Sequence, residues 1–125
     1  FDYHPAQQDI QIEMTDPNHP LVKAFEGKTF VHRDEPYLFK NAYTEKNFRP
    51  LLYIDTEKLS TKKEIEERYK YVSWIKRHGK GHVFYSSPSH NAQSFEDGRL
   101  LKFFLDGLQY VLGDLECDDS PGGFK

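Results

Sequence analysis

The sequence predicts an α/β fold, a three-layer α/β/α sandwich, and two observations lead to this prediction. Val83, Phe84 and Tyr85 form an unbroken apolar run within a predicted strand over 82–87, which is typical of a strand covered on both faces. A short polar loop then leads into a long amphipathic helix that ends at Gly113. A strand, a loop and a helix in this order are typical of α/β sandwiches.

The predicted helix begins at a capping box formed by Ser94 and Asp97. Its periodicity separates one apolar face, expected to pack on the sheet, from one polar face. The apolar face contains Leu100, Leu101, Phe104, Leu105, Leu108, Val111 and Leu112. The polar face contains Arg99, Lys102, Asp106 and Gln109.

The first half of the chain contains three predicted strands and one short helix. Apolar and polar residues alternate over 10–14, which predicts a half-buried strand. Pro20 begins a short helix that ends before Gly27, because proline suits the first helical position and glycine the residue after the last. A short strand is expected over 28–33, and the apolar run 50–55 predicts a buried strand.

Two further elements precede the central strand. Thr61 and Glu64 form a second apparent capping box and predict a charged surface helix over 62–70. The stretch 71–77 is expected to be a strand. The Gly-flanked turn that follows predicts a hairpin between this strand and 82–87.

Composition bounds the domain and its partners. A chain of 125 residues is long enough for one small domain with its own core. The net charge of −3 provides no basic patch for nucleic acid, and no apolar run approaches the length of a membrane span. The segment 114–125 is acidic and rich in Gly and Pro, and we expect it to be a mobile tail. The sequence is compatible with a location in the cytoplasm or in the bacterial periplasm.

Several motifs, taken in order, resemble the trehalose-utilisation (ThuA-like) family. The segments 16–20 (DPNHP) and 34–37 (DEPY) are similar to the family's Asp-x-x-His-Pro and Asp-Glu-x-Tyr motifs. The segment 74–90, with its Gly-Lys-Gly turn, Val-Phe-Tyr-Ser-Ser strand and following histidine, resembles the C-terminal signature. Ser89 and Asn91 depart from the usual Gly and Asp on either side of that histidine.

This resemblance extends over nearly the whole chain and implies a domain spanning 1–113. It implies a class I glutamine-amidotransferase-like, flavodoxin-like arrangement. It also implies that these residues are the C-terminal portion of a larger domain, whose N-terminal portion would be a partner of this chain.

His90, Glu35 and His4 are the candidate reactive residues. His90 follows a strand at its carboxyl end, where α/β proteins bind ligands, and imidazole suits acid/base work or metal ligation near neutral pH. Glu35 is the best candidate carboxylate. His4 joins them because the family shares its His-Pro step. Together they could bind a divalent metal or divide acid and base roles, and the alternative is that they are unrelated surface residues.

Further residues are considered for substrate contact. Tyr37, Ser89 and Asn91 are candidate sugar-binding residues because they lie in the same two polar segments. Tyr85 could also contact a sugar, but its position in mid-strand favours the core. His19 lies in a turn before the short helix, and we expect a local structural role for it.

The resemblance implies a protein of carbohydrate utilisation that acts on trehalose or a related sugar, including keto-sugars, by acid/base or metal-assisted chemistry. A first alternative is a non-catalytic sugar-binding or assembly module, which could form a homo-oligomer. A weaker alternative is an amidotransferase-type hydrolase whose nucleophilic cysteine lies upstream of this chain. Cys117, the single cysteine present, has no neighbour in sequence that would activate it.

Overall fold

A computed structural model describes the chain from Phe1 to Lys125. Five strands form one sheet in the order β2-β1-β3-β4-β5. The strands are β1 (Gln8–Met14), β2 (Phe30–Asp34), β3 (Arg49–Asp55), β4 (Tyr69–His78) and β5 (Gly81–Ser86). The helices are one α-helix, α1 (Gly98–Leu112), and the short 3₁₀ helices Pro20–Phe25, Thr56–Lys58 and Ala92–Phe95. None of these helices is long and apolar enough to span a membrane.

The predicted three-layer α/β/α sandwich is wrong. Every pair of neighbouring strands is antiparallel, so the sheet is not the parallel sheet of a flavodoxin-like or amidotransferase-like domain. Parallel strands need a crossover connection between them, usually a helix. Here β4 and β5 are joined by a tight hairpin, and only a 3₁₀ turn lies between β3 and β4. The architecture is a curled antiparallel sheet with one α-helix.

The predicted helix over 62–70 does not form, because tertiary contacts use the residues that suggested it. The Thr61 hydroxyl contacts the Tyr3 hydroxyl and accepts a hydrogen bond from Lys63 N at 3.2 Å. Lys70 already belongs to β4, and its buried ammonium donates to the carbonyl of Phe39 at 2.8 Å. These contacts outweigh the local helical preference of the sequence.

The predicted strands and the hairpin are confirmed, with small changes of boundary. β3 is central in the sheet and is buried at every position after Arg49, which agrees with its apolar sequence. In the hairpin, His78 lies opposite Gly81 and Trp74 opposite Tyr85. However, β5 lies at an edge of the sheet and is only half-buried, so the expectation that both its faces are covered is wrong.

The two faces of the sheet are covered differently. The main core lies between one face, α1 and the 3₁₀ helix Pro20–Phe25, and contains the buried residues Ile10, Ile12, Leu21, Val22, Phe25, Phe30, Ile54, Val72, Leu100, Phe103 and Tyr110. A second cluster contains Phe48, Tyr53 and Tyr71, with Tyr43, Trp74 and Phe124 packed against it.

The start of α1 differs from the prediction, whereas its end agrees. Asp97 is the N-cap, and its side chain accepts a hydrogen bond from the backbone N–H of Arg99. Ser94 belongs instead to the preceding 3₁₀ helix, whose N-cap is Asn91. Gly113 terminates α1 in the left-handed conformation with φ 84°, where glycine carries no steric cost.

The buried face of α1 is also not the one predicted. The residues that face the core are Leu100, Phe103, Asp106, Gly107 and Tyr110. The predicted apolar face is largely exposed at Leu101, Leu105, Leu108, Val111 and Leu112. Gly107 lies on the buried face and allows a close approach to the Phe84 ring of β5: a Cβ built on Gly107 would lie 2.6 Å from that ring.

The segment 114–125 makes contacts with β4, with α1 and with the residue before β3. Asp119 accepts hydrogen bonds from Arg77 Nε at 2.8 Å and from the Tyr110 hydroxyl at 3.0 Å. The Phe124 ring lies edge-on to Phe48, with 5.1 Å between ring centroids. The mobile tail expected from the composition stays a prediction, which the removal of these contacts would test.

We expect Gly107→Ala to destabilise the protein by about 1–3 kcal/mol, because the new methyl group would overlap the Phe84 ring. The matched control is Gly98→Ala at the first turn of α1, where a Cβ would meet no atom within 4 Å. This control should stay within about 1 kcal/mol of the wild type. Urea unfolding followed by circular dichroism measures both variants, and equal stabilities would contradict the close contact between α1 and β5.

We expect Phe124→Ala to lower the free energy of unfolding by about 1 kcal/mol, because it removes a half-buried ring from the cluster around Phe48 and Tyr71. Truncation after Gly113 should cost more, since it also removes the acceptor of Arg77 and Tyr110. Thermal unfolding of both variants tests this. A truncated chain with the melting temperature of the full chain would show that the tail is mobile.

Candidate active site

The structure brings His4, Glu35 and His90 together, although they are far apart in the sequence. The Oε2 atom of Glu35 lies 2.7 Å from Nδ1 of His90 and 3.3 Å from Nδ1 of His4. The two imidazole rings meet edge to face, with 5.8 Å between their centroids. One carboxylate oxygen therefore contacts two imidazoles.

Three segments supply these residues. Glu35 directly follows β2, and the buried Pro36 after it fixes an extended backbone. His90 lies in the loop that follows β5. His4 belongs to the N-terminal segment, which an isolated bridge between Tyr3 and Leu38 fixes beside the residues after β2.

The Tyr37 ring packs against the rings of both histidines. Its ring stacks on His4, with 5.7 Å between centroids and 26° between planes. It also meets the His90 ring edge-on at 5.2 Å. Phe1 packs against Tyr37 from outside at 5.1 Å. Aromatic contacts of this kind hold side chains in defined orientations.

The contacts of Glu35 favour protons on the Nδ1 atoms of both histidines. A carboxylate only accepts hydrogen bonds, so its 2.7 Å distance from Nδ1 of His90 favours a proton on that nitrogen. Nδ1 of His4 faces two acceptors, Glu35 and the carbonyl of Pro5 at 3.3 Å, which favours the same tautomer. In the neutral rings the Nε2 atoms then carry lone pairs, and neither Nε2 atom has a hydrogen-bond partner in the chain. Each imidazole can therefore accept a proton from a ligand.

The cluster is accessible from solvent. The side chains of His90 and Glu35 are 44% and 31% exposed, so a ligand can reach both. Beside His90 lies an open groove of about 230 Å³. Its lining consists of Tyr37, Tyr85, Ser86, Ser87, Ser89 and His90. Aromatic rings combined with several hydroxyl groups are suited to a small polar ligand.

Ser86 is a groove residue that the sequence did not indicate, and Tyr85 also lines the groove although its position within β5 had favoured the core. The Ser86 hydroxyl is buried and has no hydrogen-bond partner in the chain. Buried hydroxyls are normally satisfied, so this group is available to a ligand or a water molecule. The Tyr85 ring stacks on Trp74 at 4.0 Å, which keeps its position fixed.

Two of the three predicted substrate-binding residues line the groove, and the third does not. Tyr37 and Ser89 line the groove. Asn91 instead makes internal contacts: its amide contacts the carbonyl of Arg33, and its Oδ1 accepts from Ser94 N at 3.1 Å. The Asn91 side chain therefore joins the end of β2 to the 3₁₀ helix before α1.

The predicted metal site is not supported by this arrangement. Glu35, His4 and His90 contact one another, and no group of three or more His, Cys, Asp or Glu side chains in the chain is arranged to hold a metal ion. Nδ1 of His90 lies 2.7 Å from the carboxylate, and Nδ1 of His4 lies 3.3 Å from it. Metal-bound imidazole would need that nitrogen or its Nε2 about 2.0–2.1 Å from a common ion.

A second histidine cluster is buried and does not form a catalytic triad. Nε2 of His32 lies 2.9 Å from the Ser94 hydroxyl and 3.6 Å from Oδ2 of Asp34. In a triad, serine and aspartate contact opposite nitrogens of the imidazole. Here both face the same nitrogen, and all three side chains are buried. His32 therefore supports the structure.

His19 has the local role predicted for it. Its Nδ1 accepts a hydrogen bond from the backbone N–H of Leu21 at 3.3 Å, and it is the N-cap of the short 3₁₀ helix. Its Nε2 lies 2.9 Å from the carbonyl of Asp118. The side chain is buried and is not part of the groove.

The comparison with family models decides the relationship that the motifs suggested. A model described as trehalose utilisation (ThuA) matches residues 1–111. The chain belongs to the ThuA family. The matched region includes His4, Glu35 and His90, so the recognition from sequence motifs is confirmed. The searches of curated proteins and of solved structures gave no match. Neither the amidotransferase-like nor the hydrolase assignment is supported by these findings.

The surroundings of Cys117 in this ThuA-family chain disfavour its thiolate form. Burial raises its pKa to about 11, and the nearby carboxylates of Asp119 and Asp118 act in the same direction. The thiolate is the nucleophilic form of cysteine, so very little of it is present at neutral pH.

We expect Cys117 in the folded protein to react with a disulfide reagent at pH 8 about tenfold or more slowly than in the chain unfolded in urea, because its raised pKa suppresses the thiolate. The release of the coloured thiol product measures both rates. A folded-state rate equal to the unfolded one would contradict the burial of this thiol.

Proposed function

We propose that this trehalose-utilisation-related protein acts on a sugar by acid/base chemistry at His90, Glu35 and His4. The observation that carries the proposal is the shared carboxylate: Oε2 of Glu35 contacts Nδ1 of both histidines beside an open groove lined by aromatic rings and hydroxyls. A general base must be accessible and oriented by a second group, and His90 is 44% exposed and contacts the Glu35 carboxylate.

The groove supports a sugar as the ligand. A sugar ring has apolar C–H faces and polar hydroxyl edges, and the rings of Tyr37 and Tyr85 together with Ser86 and Ser89 match these two properties. Ser86 would donate or accept a bond that it lacks in the free protein. The reacting carbon would then lie near His90, which lines the same groove.

The proton transfers follow from the two imidazoles. Nε2 of His90 would take a proton from a sugar hydroxyl or from an acidic C–H next to a carbonyl, and the Glu35 carboxylate would stabilise the resulting imidazolium. His90 would then return this proton from Nε2 to the product, while His4, which contacts the same carboxylate oxygen, would accept a hydrogen bond from a sugar hydroxyl through its own Nε2. Glu35 thus orients both rings, and His90 carries the proton.

The second candidate function is a sugar-binding module without turnover. The observation that favours it is the departure of Ser89 and Asn91 from the family pattern beside His90, with Asn91 engaged in internal hydrogen bonds. In this case Tyr37, Tyr85 and Ser86 would bind the sugar, and the imidazoles would serve as hydrogen-bond partners.

We expect His90→Ala and Glu35→Gln each to reduce turnover of the active sugar by about 10²–10⁴-fold, which is the contribution of a positioned base or its orienting partner. Both side chains are partly exposed, so the melting temperature should change little. The substrates to test are trehalose, glucose and the keto derivative of each, with products followed by mass spectrometry.

The matched control is His78→Ala, an exposed histidine in the β4–β5 hairpin, which should leave turnover unchanged. Calorimetric binding of a sugar without turnover in the wild type would favour the binding module. Full activity in both His90→Ala and Glu35→Gln would refute the acid/base proposal.

A further inference from the structure

We propose that Asp34 is the positioning residue of this site: one buried carboxylate binds the backbone N–H groups of both Glu35 and His90 and thereby sets the distance between their side chains. This inference rests on the proposed function, because only that function makes the cluster an active site. The geometry that Asp34 sets can be tested without a substrate.

Asp34 differs sharply from its neighbour Glu35. Its side chain is only 2% exposed, whereas that of Glu35 is 31% exposed. Asp34 is the last residue of β2 and faces inward, while Glu35 lies just beyond the strand. No Lys or Arg side chain forms an ion pair with Asp34, since its only salt-bridge neighbour is His32 at 3.6 Å. A buried carboxylate without a cationic partner needs hydrogen bonds to offset its desolvation.

The hydrogen bonds of Asp34 come from the candidate site. Its Oδ1 accepts from the backbone N–H of Glu35 at 2.9 Å, and its Oδ2 accepts from the backbone N–H of His90 at 3.3 Å. The amide of Asn91 adds a contact to Oδ1 at 3.4 Å. Hydrogen bonds to an ionised acceptor are stronger than those between neutral groups. The two residues that contact each other through side chains are therefore also held through their backbones.

This double attachment matters because the two residues come from opposite edges of the sheet. β2 and β5 are the outermost strands, with three strands between them. His90 lies in a loop after β5, and its contacts with the end of β2 pass through Asp34 and Asn91. Without the Asp34 carboxylate, the loop after β5 loses the hydrogen-bond acceptor that it shares with Glu35. The 2.7 Å contact between Glu35 and His90 would then depend on the two side chains alone.

Hydrogen exchange in the wild-type protein is the first test. The backbone N–H groups of Glu35 and His90 lie outside the sheet ladders, and their acceptor is Asp34. We expect both amides to be protected from exchange by about tenfold or more relative to a free peptide. An unprotected amide at either position would overturn the proposal.

The decisive variant is Asp34→Asn. An amide side chain has only one oxygen to accept hydrogen bonds, whereas the carboxylate has two. We expect the backbone N–H of His90 to lose about tenfold in protection from exchange, because its hydrogen bond to Asp34 is the longer of the two. The backbone N–H of Glu35 should keep its protection. Asp106→Asn is the matched control, because Asp106 is also a buried carboxylate, 3% exposed, but lies on α1. It should leave both amides unchanged.

Other outcomes separate the two proposals. If Asp34→Asn and Asp106→Asn lower the melting temperature alike and neither changes exchange at His90 or Glu35, then Asp34 is only a core residue and the positioning proposal fails. If exchange changes as expected while His90→Ala and Glu35→Gln both keep full activity, the positioning by Asp34 stands and the proposed acid/base function fails. If Asp34→Asn does not fold, the protection of the Glu35 and His90 amides in the wild-type protein decides whether the positioning proposal stands.

Discussion

The site depends on two neighbouring carboxylates with opposite surroundings at the end of β2. Strand alternation turns Asp34 inward and leaves Glu35 at the surface, so one carboxylate binds backbone and the other binds imidazoles. The buried group can be tolerated only because its oxygens receive hydrogen bonds. Its donors are the same segments that present Glu35 and His90, so the stability of the buried charge and the geometry of the exposed cluster are linked.

The curl of the sheet makes this meeting possible. In a flat sheet, four strand spacings would separate β2 from β5 by about 19 Å. The chain from Ser87, still bonded to Val72 of β4, to His90 can reach only about 10 Å. The two edges must therefore bend toward each other for His90 to contact Asp34. The single α-helix and the antiparallel connections, rather than a layered α/β arrangement, permit this bend.

Much of this could be predicted from the sequence, and the failures have identifiable causes. Alternation of apolar and polar residues located β1, apolar runs located β3 and β5, and the end of α1 followed from Gly113. The second capping box predicted a helix that does not form, because the Thr61 hydroxyl contacts the Tyr3 hydroxyl instead of capping a helix. The apolar stripe of α1 misled because periodicity does not reveal that Gly107 allows Phe84 to pack closely. His90 and Glu35 were identified from motif and position, whereas Ser86 was missed because only the fold shows that its hydroxyl lacks a partner.

Glu35 orients two imidazoles through their Nδ1 atoms, and long-range ¹H–¹⁵N spectroscopy of the histidine rings is the measurement to make first. We expect neutral His90 and His4 to carry the proton on Nδ1, with an unprotonated Nε2, and Glu35→Gln to change the signals of both rings together. Exposed His78 serves as the internal reference. A His90 ring protonated on Nε2, or one insensitive to Glu35→Gln, would contradict this orientation.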